Sequence, residues 1–290
     1  MMKFEFEAIG TTWKIDIEDN LPENKEVVLQ KMIMDRIDDF DKNYSRFRKD
    51  SLVTKMSEEA GEFILPSDAN KMILIYKQMY EITGGLVTPL IGQVLVDAGY
   101  DSEYSMNEKS LKSPKKWEEV LKWNNPKLEL SSPALLDFGA GGKGYLVDIV
   151  SELIEASGIK SYCVDAGGDM RHRNFDKKTL RVGLENPDDT TEVVGVVKVF
   201  NESLCGSAGN RRTWGNFHHI INPNDLSSPR NVKSVWCTSE TTLLSDMLTT
   251  ALFFVDASVL LQHFKFEYLV IYSDNSLVKS ENFKAEIFIS

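Results

Sequence analysis

The segment from 135 to 148 constrains the fold most, because it places four glycines directly before an apolar pattern of helical spacing. It reads Leu-Leu-Asp-Phe-Gly-Ala-Gly-Gly-Lys-Gly-Tyr-Leu-Val-Asp. Glycine lets the backbone approach a ligand closely, and the unpaired N–H groups at a helix N-terminus attract phosphate. The segment therefore predicts a phosphate-binding turn at the start of a helix, with Lys143 adding a positive charge.

This segment alone leaves two interpretations open. Gly139, Gly141 and Gly144 fit the spacing GxGxxG, and a strand-like run ending at Asp165 follows the helix. That is the outline of a Rossmann dinucleotide unit, and hence of an oxidoreductase. The unit lies in mid-chain, however, and lacks a regular βαβ continuation. A tight turn without a nucleotide is the other interpretation.

The order of the remaining elements predicts the fold class. Apolar residues at helical spacing predict four helices: one after Pro22, one capped by Ser67, one over 143–157, and one starting near Thr238 or Ser239. Strand-like runs cover 3–9, 12–17, 160–164, 180–184, 193–200, 232–237 and 267–272, the last opening a hairpin to 279. Several strand runs follow one another without a helix, which favours an α+β fold with largely antiparallel sheets. We expect residues 1–290 to form a single domain.

Charge and composition exclude several classes of protein. The formal net charge of -11 argues against a broad surface for nucleic acid, so an anionic ligand needs local cations or a metal ion. No apolar stretch approaches the ~18 residues of a membrane span. The three cysteines are odd in number and lack CxxC spacing. We therefore expect no disulfide framework, no membrane span and a cytoplasmic location.

The glycine segment resembles the "DLGxIAKGYxVD" signature of the ApbE family, the FAD:protein FMN transferases. The residues in register are Asp137, Gly139, Lys143, Gly144, Tyr145 and Asp148. Gly142 stands where the family usually has alanine. Further segments similar to family motifs follow the family's order: GTTW at 10–13, SRFRKDS at 45–51, TGGLVTP at 83–89, GYD at 99–101, DAGGD at 165–169, GN at 209–210, HHIINP at 218–223 and SDMLTTA at 245–251.

The resemblance implies an ApbE-type, T-fold-like architecture and a magnesium-dependent reaction. In that reaction, FMN passes from FAD, as substrate, to a threonine or serine of an acceptor protein, and AMP leaves. A magnesium-dependent FAD pyrophosphatase is one alternative, because water can replace the hydroxyl. A non-catalytic FAD-binding protein is the other. The residues implied in FAD binding are Gly141, Gly142, Lys143, Asp148, Gly168, Asp169 and His219.

One pair of residues has the spacing of a metal site. Asp246 and Thr250 lie four residues apart on a predicted helix, so they share one face and can ligate a hard cation such as Mg²⁺. The resemblance adds the backbone carbonyl of Gly142 as a third ligand.

His218 and His219 are adjacent, so on a strand they point to opposite sides. The register of the motif favours His219 as the catalytic base. Lys143 is the second catalytic candidate, meeting the pyrophosphate or bridging to a carboxylate. Asp148 is expected to bind the cofactor or to support Lys143.

Overall fold

The computed structural model describes residues 2–288. Eight α-helices lie in that range: α1 Glu23–Tyr44, α2 Leu52–Glu58, α3 Ala69–Ile82, α4 Gly92–Asp97, α5 Trp117–Val120, α6 Gly142–Ala156, α7 Thr242–Ala251 and α8 Ala257–Leu260. None of these eight is long and apolar enough to cross a membrane.

Sixteen β-strands occupy much of the same range. They are β1 Met2–Ala8, β2 Thr11–Ile17, β3 Gly61–Ile64, β4 Leu121–Asn124, β5 Lys127–Leu130, β6 Tyr162–Ala166, β7 Asp169–Arg173, β8 Leu180–Glu185, β9 Val193–Val199, β10 Ser203–Ala208, β11 Thr213–Trp214, β12 Phe217–His218, β13 Val232–Ser239, β14 Glu267–Tyr272, β15 Leu277–Lys279 and β16 Ala285–Ile287.

The largest sheet has eight strands in the order β1-β2-β6-β7-β10-β13-β14-β15. Its neighbouring strands pair antiparallel. Smaller sheets have the orders β16-β9-β8, β3-β5-β4 and β11-β12. Helices combined with antiparallel sheets confirm the predicted α+β class.

The central strands of the large sheet are buried on both faces. In β13, Val235 and Cys237 join the main core, which also contains apolar residues of α1, α3, α6 and α7. Trp236, between them, joins a second core with Leu184 of β8 and Val197 of β9. Adjacent residues of a strand point to opposite faces. The protein is therefore layered as helices, large sheet and three-stranded sheet.

Close contact between α6 and α7 depends on one glycine. A Cβ atom at Gly144 would lie 2.3 Å from the carbonyl oxygen of Thr242 and 2.7 Å from the Cβ of Asp246. A Cβ atom at Gly142 would lie 3.3 Å from the Cβ of Phe138. Gly144 is thus required by the approach of two helices, whereas position 142 needs only a small shift to accept a methyl group.

Two predicted helix starts were wrong. Helix α3 follows Asp68 rather than Ser67, and the Asp68 side chain makes no cap hydrogen bond. Helix α7 begins at Thr242, where the Thr241 hydroxyl accepts a hydrogen bond from the backbone N–H of Leu244. Its start shifts because β13 continues through Ser239.

Candidate active site

A cleft of about 860 Å³ opens between the large sheet, the three-stranded sheet and the first turn of α6. That volume lies in the range of small-molecule sites. Six of the expected residues line the cleft: Lys143, Gly168, Asp169, His219, Asp246 and Thr250. The fold therefore brings together residues that are far apart in sequence.

Gly141 and Gly142 are not among the residues that line the cleft, and their expected contact with the cofactor stays a prediction. Both are buried, and a Cβ atom at Gly141 would lie 2.7 Å from the Met247 Cε of α7. Gly139 and Ala140 line the cleft in their place. The expected role of the Gly142 carbonyl as a metal ligand stays a prediction.

The hairpin between β6 and β7 positions Asp169. Ala166 and Asp169 pair across the strands, so Gly167 and Gly168 form a two-residue turn. Their φ angles of +62° and +98° suit such a turn and favour glycine. A Cβ atom at Gly167 would lie 2.0 Å from the Thr11 hydroxyl oxygen. The turn is therefore held against the start of β2, and Asp169 is the first residue of β7.

Lys143 and Asp169 form an ion pair at the base of the cleft. The Asp169 side chain is only 1% exposed, and apart from this ion pair its carboxylate oxygens have no hydrogen-bond partner among residues 2–288. The Lys143 ammonium also donates to the Ala166 carbonyl at 3.1 Å. Burial lowers the pKa of Lys143, but the nearby carboxylates of Asp169 and Asp246 raise it overall. Lys143 is therefore a cation facing the cleft.

Asp246 joins the same cluster from α7. One carboxylate oxygen, Oδ2, accepts a hydrogen bond from the backbone N–H of Gly144 at 2.9 Å. Burial, and then the charge of Asp169, raise the pKa of Asp246 well above its usual range. Two buried carboxylates facing one cleft repel each other, and a bound cation would relieve that repulsion. Thr250, one helical turn further along α7, also lines the cleft.

Asp148 is not among the residues that line the cleft, and its expected contact with the cofactor stays a prediction. Its carboxylate accepts hydrogen bonds from the backbone N–H groups of Thr242 and Leu243, at 2.9 and 2.8 Å. It also accepts one from the Arg171 guanidinium at 2.7 Å. Asp148 therefore holds the N-terminus of α7, the helix that carries Asp246.

The two adjacent histidines have different surroundings. His218 is 1% exposed, and its Nε2 lies 2.9 Å from the Pro229 carbonyl oxygen, so it is structural. His219 lines the cleft, and its Nδ1 lies 3.0 Å from the Arg211 carbonyl oxygen. Of the two histidines, His219 therefore faces the cleft, and its expected catalytic role stays a prediction.

The ring nitrogens of His219 have distinct roles. A carbonyl oxygen only accepts, so Nδ1 carries the proton and Nε2 is left as an acceptor. Burial, and then the positive charge of Arg212, lower the pKa of His219 to about 4. The imidazole is therefore neutral near pH 7 and has the tautomer that a general base requires.

Sequence reasoning missed the cations at the mouth of the cleft. Arg211, Arg212 and Lys14 all line it. Arg211 forms an ion pair with Glu185, whereas Arg212 forms no ion pair within the described chain. The cleft therefore has the local positive charge that an anionic ligand needs in a chain with a net charge of -11. No sequence signal pointed to Arg212, since an Arg-Arg pair in an irregular loop does not by itself indicate a binding site.

Comparisons with known proteins identify the relatives of this chain. The model of the ApbE family matches residues 9–269. The FAD:protein FMN transferase of Haemophilus influenzae is 23% identical over 269 residues, which cover 83% of this chain and 77% of that protein.

Two solved structures share the fold. The flavin transferase ApbE from Vibrio cholerae has a TM-score of 0.78 and 19% identity, with 98% of each chain covered. The ApbE protein from Thermotoga maritima has a TM-score of 0.82 and 20% identity, covering 98% of this chain and 99% of that one. The similarity thus extends over nearly the whole chain.

Proposed function

The chain belongs to the ApbE family, and from this premise we propose that it transfers FMN from FAD to a threonine or serine of an acceptor protein, in a Mg²⁺-dependent reaction that releases AMP. Relatives named FAD:protein FMN transferase support the transfer. The observation that carries the proposal is the convergence of Lys143, Asp246 and His219 on one cleft. A charge-neutralising group, a carboxylate for a cation and a base are the parts that such a reaction needs.

The residues around Asp246 fit a magnesium ion. Oδ2 of Asp246 is taken by the backbone of Gly144, which leaves Oδ1 for a cation. Thr250 provides a hydroxyl from the next turn of the same helix, and the Gly142 carbonyl is the third ligand that the resemblance implies. Mg²⁺ prefers a few protein oxygens together with water and substrate phosphate. When bound, the ion would neutralise charge on the phosphate oxygens.

His219 is suited to accept the proton of the incoming hydroxyl. Its Nε2 is unprotonated because Nδ1 is held by the Arg211 carbonyl. Burial and Arg212 keep the imidazole neutral, so no proton has to be lost before the reaction begins. The deprotonated oxygen would then attack the phosphorus on the FMN side of the pyrophosphate, and the bond to AMP would break.

Lys143 is the group placed to neutralise the charge that develops on the phosphate. It stays positively charged because Asp169 and Asp246 lie beside it. Its side chain is 27% exposed towards the cleft, so it can contact a ligand while it remains paired with Asp169. Arg212 offers a second cation at the mouth, where the other end of a dinucleotide would lie.

The test is chromatography of nucleotides and flavins after incubation with FAD, Mg²⁺ and a candidate acceptor domain. AMP release matched by flavin bound to the acceptor is the expected result. AMP with an equal amount of free FMN would identify an FAD pyrophosphatase instead. Intact FAD with every acceptor, despite tight FAD binding, would indicate a binding protein and would overturn the proposal.

Variants then test the assigned roles. Asp246→Asn keeps the shape of the side chain, and we expect AMP release to lose its response to Mg²⁺. His219→Gln should slow transfer by about 10²–10⁴-fold, the usual contribution of a general base. His218→Gln is the matched control, since the neighbouring ring points away from the cleft. Equal rates for the two histidine variants would rule out His219 as the base.

A further inference from the structure

The three-stranded sheet has a free edge beside the cleft. Within residues 2–288, β8 pairs only with β9. Val182, Gly183, Leu184 and Glu185 of β8 all line the cleft. An unpaired strand edge presents a row of backbone donors and acceptors that can pair with another strand. The cleft therefore has one wall able to bind a polypeptide backbone.

The pairing pattern shows which residues of β8 face its partner. In β9, Lys198 directs its N–H towards β16, where it donates to the Lys284 carbonyl at 3.0 Å. Along a strand, successive residues direct their backbone groups to opposite sides. The next residue, Val197, therefore faces β8, where it pairs with Val182.

Arg181 and Gly183, on either side of Val182, consequently direct their N–H and C=O groups away from β9. Their spacing is that of alternate residues, about 6.6 Å at ~3.3 Å per residue. Gly183 is exposed and has no side chain, so a second backbone can approach it closely. An irregularity between Leu184 and Glu185 ends the regular edge. The available edge therefore suits a short extended segment.

Three contacts connect this edge to the loop that holds the proposed base. Arg211 Nη2 lies 2.7 Å from each carboxylate oxygen of Glu185, the last residue of β8. The carbonyl of the same Arg211 holds the His219 imidazole. The Asn210 amide donates to the Pro187 carbonyl at 2.7 Å. The end of β8 thus lies beside the loop whose backbone holds the imidazole.

We propose that β8 binds the acceptor protein by strand addition: an extended segment pairs with Arg181 and Gly183, and its hydroxyl side chain reaches His219. This inference rests on the proposed function, because the occupant is the acceptor segment whose hydroxyl receives FMN. Strand addition provides affinity through backbone hydrogen bonds and leaves side-chain recognition to the neighbouring pockets. The segment must accordingly be extended or unfold locally to bind.

The first test replaces Arg181 with proline, which removes an outward N–H and leaves the bonds to β9 in place. Proline is tolerated at edge positions whose N–H faces solvent. The matched control is Lys279→Pro in β15, at the far end of the large sheet. There Ser280 donates to Tyr268 of β14, so Lys279 also faces outward. The assay measures FMN transfer to a purified, unmodified acceptor domain with a single acceptor threonine, at saturating FAD.

We expect Arg181→Pro to raise the KM for the acceptor about fivefold or more, the effect of losing one hydrogen bond. Lys279→Pro should change it less than twofold. A folded Arg181→Pro protein with the wild-type KM would overturn strand addition while leaving the transferase activity in place. Absence of transfer by the wild-type protein would instead overturn the proposed function, and the occupant of the edge with it.

A second test keeps the proposal falsifiable if Arg181→Pro does not fold. Short peptides around the acceptor threonine are methylated on one backbone nitrogen at a time, and their transfer rates are compared with the wild-type protein. Pairing to a strand edge predicts losses at every second position, because alternate N–H groups point away from β8. Losses without that alternation would exclude a paired strand.

Discussion

The contact between α6 and α7 makes Gly144→Ala the most informative single substitution. The added methyl group would lie 2.3 Å from the Thr242 carbonyl oxygen and 2.7 Å from the Asp246 Cβ. Both atoms belong to α7 and neither is the flexible end of a side chain. The helices must therefore separate, which stretches the 2.9 Å hydrogen bond from the Gly144 N–H to Asp246.

Three effects determine how much Gly144→Ala changes the free energy of unfolding. Overpacking a well-packed contact costs about 1–3 kcal/mol, and weakening the hydrogen bond costs about 1 kcal/mol. Replacing glycine by alanine in a helix returns about 1 kcal/mol through helix propensity. The net loss of unfolding free energy is then ~1–3 kcal/mol, which lowers the thermal midpoint by roughly 2–5 °C in a chain of this size.

Gly142→Ala is the matched control, because position 142 lies two residues before Gly144 in the same turn of α6. Its methyl group would meet the Phe138 Cβ at 3.3 Å, so we expect a change of less than about 1 kcal/mol, offset in part by propensity. Thermal unfolding and Mg²⁺-dependent AMP release are measured for both variants. Equal midpoints and equal activities would refute the argument that α6 and α7 are in limiting contact at Gly144.

Three further predictions follow from the site. The His219 imidazole should titrate near pH 4 by NMR, because its pKa is lowered to about 4. The unfolded chain takes up that proton near pH 6.5, so the free energy of unfolding should fall as the pH drops from about 6.5 towards 4. A titration midpoint near pH 6.5 in the folded protein would contradict the assignment. Asp148→Asn should lower the unfolding free energy by about 2–4 kcal/mol, since it leaves buried donors unpaired. The transfer rate per folded molecule should stay within a few fold of the wild-type rate. A large loss of rate at unchanged stability would indicate that Asp148 takes part in the reaction. Arg212→Ala should weaken FAD binding about tenfold, as expected for a lost charge-assisted bond, and unchanged binding in low salt would place Arg212 outside the FAD site.

Local patterns revealed much of this fold. The helical spacing of apolar residues found α1 and α6 to within a few residues, because each presents one apolar stripe to the core. Eight strands were missed, and two of them lie inside the large sheet: β3, β4, β5, β7, β10, β11, β12 and β16. Residues Ser203–Ala208 of β10 are mostly small and show no clear alternation, because the first three are all buried and the last three line the cleft. Periodicity identifies amphipathic elements better than elements buried on two sides.

Sequence motifs likewise identified some residues of the candidate site and not others. Motif register found Lys143, Asp246 and His219, whose residue types indicate chemistry. It did not show that Asp148 caps a helix that begins 94 residues later, because such contacts depend on the packing of α6 against α7. Arg212 could not be found from sequence, since its value lies in its position at the cleft and in having no acidic partner there.

The two walls of the cleft come from structures with different tolerance to change. One wall, with Lys143 and Asp246, is continuous with the main core, so its geometry is inherited from helix packing. The other, with the β8 edge and the loop of Arg211 and Arg212, belongs to a small sheet and an exposed connection. Duplicated copies of such a gene could diverge in the protein they modify by changing the second wall alone. Directed evolution of a new acceptor is accordingly best confined to positions 181–187 and 210–213.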